Sequence, residues 1–193
     1  MAAQVFVSHT QKDAEFGDIF DRGCAQVGLK VFRSEFERIG LSAWETTRKA
    51  IRASRVLCLL VGEELVKASM SGGPSWAYTQ NWIAYEIGIA CERGMDVWVI
   101  CDDVKINFPV PYFNNYLPKS LREKDTSDFL LALLRIYTRR RKLRFPDSQY
   151  GLSCPYEDCQ IPFNLWMPAK PNDVIVCPHC LQEIGFDKRF PTS

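Results

Sequence analysis

A chain of 193 residues with 47% hydrophobic and 24% charged side chains has the composition of an ordinary globular protein and is long enough to bury a full core. Its formal net charge of +1 excludes a protein that is basic throughout, though not one with a local basic patch. No apolar run reaches the roughly 18–20 residues that span a bilayer, and the opening MAAQVFVSHT lacks the basic and apolar regions of a secretion signal, so the expectation is a cytoplasmic protein without membrane contact.

Val5–Val7 is a short apolar run that leads into Ser8-His9-Thr10, and Thr10 stands three residues before Asp13, the spacing of a capping box at a helix start. Phe16, Ile19, Phe20, Cys24 and Val27 then recur at helical spacing as far as Gly28. Leu29–Phe32 reads as a second strand, followed by a charged loop from Glu35 to Gly40. Ser42 and Glu45 form a second capping box, for a helix through about Ala53 with Trp44 in its first turn. Val56–Val61, VLCLLV, is a continuous apolar run of the kind expected for a parallel strand covered on both faces. Ser69–Ser75, with two glycines and a proline, reads as a loop. The helical stretch Thr79–Ala90 follows, ended by Gly94, and Val97–Cys101 is another buried strand. Pro109 and Pro111 mark a loop, and a last helix from about Thr126 carries Phe129, Leu130, Leu133, Leu134 and Tyr137 on one face.

Strands alternating with helices over short connections imply an α/β fold, a flavodoxin-like parallel sheet flanked by helices. In such open sheets ligands lie outside the carboxyl ends of the strands. Ser8-His9-Thr10, Arg33-Ser34-Glu35 and Asp102-Asp103 all follow strands and so line up along that edge. In the Thr79–Ala90 helix, Ile83, Ile87 and Ala90 form one stripe while Trp82 and Glu86, four residues apart, are neighbours on its shoulder. Glu86 is then either a solvated surface acid or a functional carboxylate. Neither a dinucleotide-binding glycine fingerprint nor a Walker sequence occurs, and His9 and His179 are the only histidines. A dehydrogenase, a kinase and an acyl-transfer triad are all disfavoured.

The eight cysteines obey two logics. Cys24, Cys58, Cys91 and Cys101 are scattered through apolar segments as small hydrophobes. Cys154 and Cys159 have four residues between them, Cys177 and Cys180 have two, and 17 separate the pairs. Two such knuckles can close a tetrahedral four-thiolate Zn2+ site, and because that set leaves no open position the zinc is structural. The expected division is a sheet domain over 1–145, a linker over 146–153 and a zinc-ribbon module over 154–193. Arg139-Arg140-Arg141-Lys142 and Arg144 precede the ribbon. This run either contacts nucleic acid or complements the helix dipole as a solvated helix end, and the ribbon could equally recognise a protein.

Between about Gln4 and Arg141 the chain resembles a prokaryotic Toll/interleukin-1 receptor (TIR) domain. VFVSHTQKD is similar to the family's first box, VFRSEFERIG to its second strand and BB loop, and AIRASRVLCLLV to its helix B and third strand. NWIAYE is similar to the tryptophan-x-x-x-glutamate segment in which enzymatic TIR domains carry their catalytic glutamate. The resemblance implies the TIR fold and cleavage of the nicotinamide–ribose bond of NAD+, giving nicotinamide and ADP-ribose or a cyclic isomer. It assigns catalysis to Glu86 and places Ser8, His9, Trp44 and Trp82 near the dinucleotide, with self-association and a role in immune or stress signalling. Trp44 remains open as a core tryptophan. Thr10 and Gln11 stand where some family members have two arginines, so phosphate handling is not carried over. Two other readings stay alongside: a non-catalytic TIR adaptor working through the loop around Glu37–Gly40, and a nucleoside deoxyribosyltransferase-like enzyme acting on free nucleosides.

Overall fold

A computed structural model describes residues 4–33, 41–102, 115–117, 120–139, 149–166, 174–177, 180 and 182–185. Its centre is the run VLCLLV, strand β3 (Val56–Val61), buried at every position. It lies between β1 (Val5–Ser8) and β4 (Asp96–Cys101), parallel to both, so helices on each side must cover it. β2 (Val31–Arg33) extends the sheet beyond β1, and β5 (Asn115–Leu117) extends it beyond β4, all in parallel.

The pleat sorts the strand residues between two helical layers. Arg33 of β2 forms ion pairs with Asp18 and Asp21 of α1 (Ala14–Gln26), so its register partner Val7 also faces α1. α1 packs on α5 (Lys124–Arg139), where a side chain on Gly23 would press against Leu131. Phe6 stacks on Phe32 with ring centroids 5.6 Å apart, and by alternation both, with Ser8, face the opposite layer. That layer holds α2 (Leu41–Ala53), α3 (Glu63–Ser71) and α4 (Pro74–Glu92), with α4 in contact with α2, α3, β3 and β4.

Several expected boundaries move, each for a local reason. Thr10 caps a short 3-10 turn over Gln11–Asp13, accepting from Lys12 N–H at 3.4 Å, but Asp13 does not reach back to complete a capping box. Its carboxylate spans to α3 instead and accepts from Glu64 N–H and Leu65 N–H, both at 3.0 Å, two of the amides that a helix start leaves unpaired. Gly62, the residue before α3, leaves room for that carboxylate, which a Cβ there would displace. Ser69–Ser75 is not one loop: α3 runs to Ser71 and α4 begins at Pro74, joined by Gly72 and Gly73 at φ of +66° and +89°. Both angles suit glycine, and proline suits the first helical turn. α2 starts at Leu41, so Ser42 lies inside the helix rather than capping it, and β2 begins two residues later than expected, at Val31.

The strands beyond α5 were not expected to join the sheet. Residues 149–153, read from the sequence as the end of a linker, form β6 (Gln149–Ser153), antiparallel to β7 (Pro162–Trp166). β7 runs parallel beside β5, giving the order β2-β1-β3-β4-β5-β7-β6. β8 (Val174–Val176) and β9 (Glu183–Gly185) form a separate antiparallel pair. The Glu35–Gly40 loop, Asp103, Pro109, Pro111, Arg140–Arg144 and His179 lie outside the described residues. No described helix is long and apolar enough to cross a membrane.

Candidate active site and metal centre

α4 presents Ile83, Ile87 and Ala90 to the sheet and buries Trp82 and Glu86 with them; Glu86 is 0% exposed. Trp82 Nε1–H donates to Glu86 Oε1 at 2.8 Å, one helical turn away. A carboxyl group removed from water is costly unless hydrogen-bonded, and the indole supplies such a bond while fixing the rotamer. Trp44 reaches over from α2 and meets Trp82 edge-on at 5.7 Å and Tyr85 at 4.7 Å, with Tyr85 5.8 Å from Trp82. Trp44 is 50% exposed, so it stands at the surface of this aromatic group instead of in the core. Tyr85 was not singled out from the sequence. Its signal was its place between Trp82 and Glu86, three residues from the former.

Trp44, half exposed, and Tyr85 offer aromatic faces on which a flat ring can stack, while Glu86 is closed off from solvent. Ser8 is fully buried and faces the same layer as α4 by the pleat, and among the described residues its Oγ has no hydrogen-bond partner. His9 belongs elsewhere. It lies on the α1 side, in the field of Arg33, Asp21 and Asp13, with Arg33 itself held by Asp18 at 2.7 Å and Asp21 at 3.3 Å. A carbonyl can only accept, so the 2.8 Å contact with Thr10 O puts the proton on Nδ1 and leaves Nε2 as a buried acceptor with no partner among the described residues. Burial holds the imidazole below its ordinary pKa, reinforced by Arg33 and offset in part by the Thr10 carbonyl. The structure thus gathers Trp44, Trp82 and Glu86, while His9 bonds the Thr10 carbonyl and feels the charges of Arg33, Asp21 and Asp13.

The second site lies at two turns. Cys154 and Cys159 flank the β6–β7 turn, and Cys177 and Cys180 the β8–β9 turn. All four sulfurs lie within 4.8 Å of one another, with Cys154–Cys180 at 3.6 Å and Cys159–Cys177 at 3.9 Å. A tetrahedron of thiolates about 2.3 Å from one ion has edges of about 3.8 Å, whereas a disulfide needs about 2.05 Å. The donor set therefore fits a single tetrahedral metal ion. Tyr156 O–H donates to Glu183 O at 2.6 Å and so ties the first knuckle to the second. Burial pushes the Cys154 thiol up to about 12, while at Cys180 burial is outweighed by the hydrogen bonds of Gln182 N–H and the neighbouring thiols, leaving it below its ordinary value. A bound cation would deprotonate such thiols outright.

No model of a known protein family matches the chain, and no curated protein matches it.

Proposed function

We propose that the chain is a TIR-type NAD+ nucleosidase, with Glu86 as its catalytic carboxylate and a structural zinc in the four-cysteine site. The observation that carries this reading is the fully buried Glu86, held by the Trp82 indole and flanked by the partly exposed Trp44. The resemblance of NWIAYE to the TIR glutamate segment supports it, as does the parallel sheet flanked by helices.

The chemistry asks little more of the protein. As the C1′–N bond breaks, its electron pair leaves with nicotinamide, which departs neutral, and the positive charge passes to the ribosyl ring as an oxocarbenium-like centre. A carboxylate facing that centre stabilises it in a site of low dielectric, and Trp82 N–H keeps the carboxylate from turning away. Water then adds to C1′ and releases one proton, which Glu86 can accept, giving ADP-ribose. Where water is excluded, a nucleophile on the adenosine half adds to C1′ instead, losing its proton, and closes a cyclic isomer. The aromatic faces of Trp44 and Tyr85 suit stacking of the nicotinamide ring.

By the same resemblance the protein acts in immune or stress signalling and associates with itself through its TIR fold. Incubation with NAD+ and chromatography of nicotinamide tests the activity. Release by the wild type and its loss in Glu86→Gln are expected. No release at high protein concentration points to a non-catalytic adaptor, and base exchange on free nucleosides points to a deoxyribosyltransferase-like enzyme.

A further inference from the structure

We infer that the metal held by the four cysteines is a keystone of the α/β core itself, so that loss of the ion loosens β5 and β4 and not merely an appended ribbon. The cation is a single thiophilic divalent ion of tetrahedral preference, Zn2+ by its ligand chemistry, with Co2+ as a spectroscopic equivalent. This inference assumes nothing about NAD+.

The hairpin that carries the first cysteine pair is part of the main sheet. β7 pairs with β5 through Asn115↔Asn164 and Tyr116↔Leu165, and β6 closes the far edge. β5 is only three residues long, held by three register pairs to β4 on one side and by two to β7 on the other. Stripped of β7 it would be a three-residue edge strand with little to hold it.

The second cysteine pair adds the other half of the argument. β8 and β9 pair only with each other among the described residues, so the sheet ladder does not hold them. Side-chain packing, the Tyr156–Glu183 hydrogen bond and the shared ion hold them. Cys154, Ile175 and Cys177 are at most 2% exposed, and they belong to one continuous apolar cluster with Val5–Val7, Val56–Val61, Val97–Cys101 and Leu117. Tyr116 makes the junction. It is 1% exposed, it lies on the sheet face of its register partner Val99 and of Cys101, and it belongs with Cys101 and Cys177 to the same buried cluster. One buried cluster therefore joins Cys177, a ligand of the ion, to Tyr116 on β5 and Cys101 on β4. A structural ion's binding free energy becomes folding free energy for whatever its ligands pack upon, which here is the sheet.

The test uses the full-length protein as purified with its metal, which should amount to about one ion per chain. Stripping the ion with a chelator under reducing conditions is followed by amide hydrogen exchange and by thermal melting. Protection should fall across Asn115–Leu117 and Asp96–Cys101 as well as in 174–185, and one cooperative melt should drop by roughly 10 °C. Exchange confined to 149–185, with the melt of the remaining sheet unmoved, would overturn the inference. So would a chain that gives no cobalt–thiolate absorption on Co2+ addition. Linkage supplies a converse test that leaves every ligand in place: if sheet and ion fold together, Tyr116→Leu should weaken Co2+ binding at least about tenfold in a chelator competition. Unchanged Co2+ affinity in that variant would also overturn it. None of these measurements reads nicotinamide release, so their failure is separable from failure of the NAD+ nucleosidase reading.

Discussion

Glu86 takes its hydrogen bond from Trp82, four residues earlier on the same helix, whereas the Cys154 sulfur lies 3.6 Å from that of Cys180, 26 residues away at the turn of another hairpin. Both places bury polar atoms, yet they depend on the fold in different ways. The Trp82–Glu86 pair comes with the helix, and the rest of the sheet has only to cover it. The cysteine tetrahedron exists only once two hairpins have docked. Chemistry built by local spacing is separable from stability, and chemistry built by long-range docking is not.

The sharpest test of that difference is Glu86→Gln. It keeps the volume and an oxygen for the indole but removes the charge, so nicotinamide release should fall by about 10²–10³-fold, while the melting temperature stays within the range of ordinary surface substitutions. A large loss of stability in this variant would break the distinction. Gly62→Ala probes a long-range contact outside both sites, where the new methyl must displace the Asp13 carboxylate from the start of α3. Denaturant unfolding should show a loss of about 1–3 kcal/mol, with activity reduced only in proportion to the unfolded fraction.

Trp82→Phe sharpens the local side of the comparison. It keeps an aromatic ring against Trp44 and Tyr85 but withdraws the indole donor from Glu86, which should cost about 1 kcal/mol and lower kcat more than it raises KM. The smallest effect concerns His9. Its folded pKa lies below the ordinary 6.5, so below about that pH the unfolded chain takes up a proton that the folded chain refuses, and stability falls as the solution is acidified. Asp13 and Asp21, raised by burial, work the opposite way. The difference between wild type and His9→Gln isolates the histidine: the wild type should lose the more stability between pH 7 and pH 5.5, by less than about 1 kcal/mol.

How far each feature was legible follows the distance over which it is built. VLCLLV read as a central strand because a strand covered on both faces needs no alternation, and the α4 stripe read as a helix because its spacing lies within one turn or two. α3 was missed because Gly72-Gly73 and Pro74 drew the boundary of a loop too early, although glycine and proline there mark only the junction of two helices. β5 was missed because three residues carry no period.

The sequence by itself determined the alternating α/β pattern, the Trp82–Glu86 pairing and the knuckle spacing within Cys154–Cys159 and within Cys177–Cys180, since each is fixed by neighbours a few residues apart. Only the tertiary structure decided that Asp13 caps a helix 51 residues away, that Trp44 stands half exposed against Trp82 and Tyr85 while His9 lies under α1, and that β7 pairs with β5. These depend on which surfaces meet when the chain closes. That choice is made by burial over the whole sheet, which no local window of sequence contains.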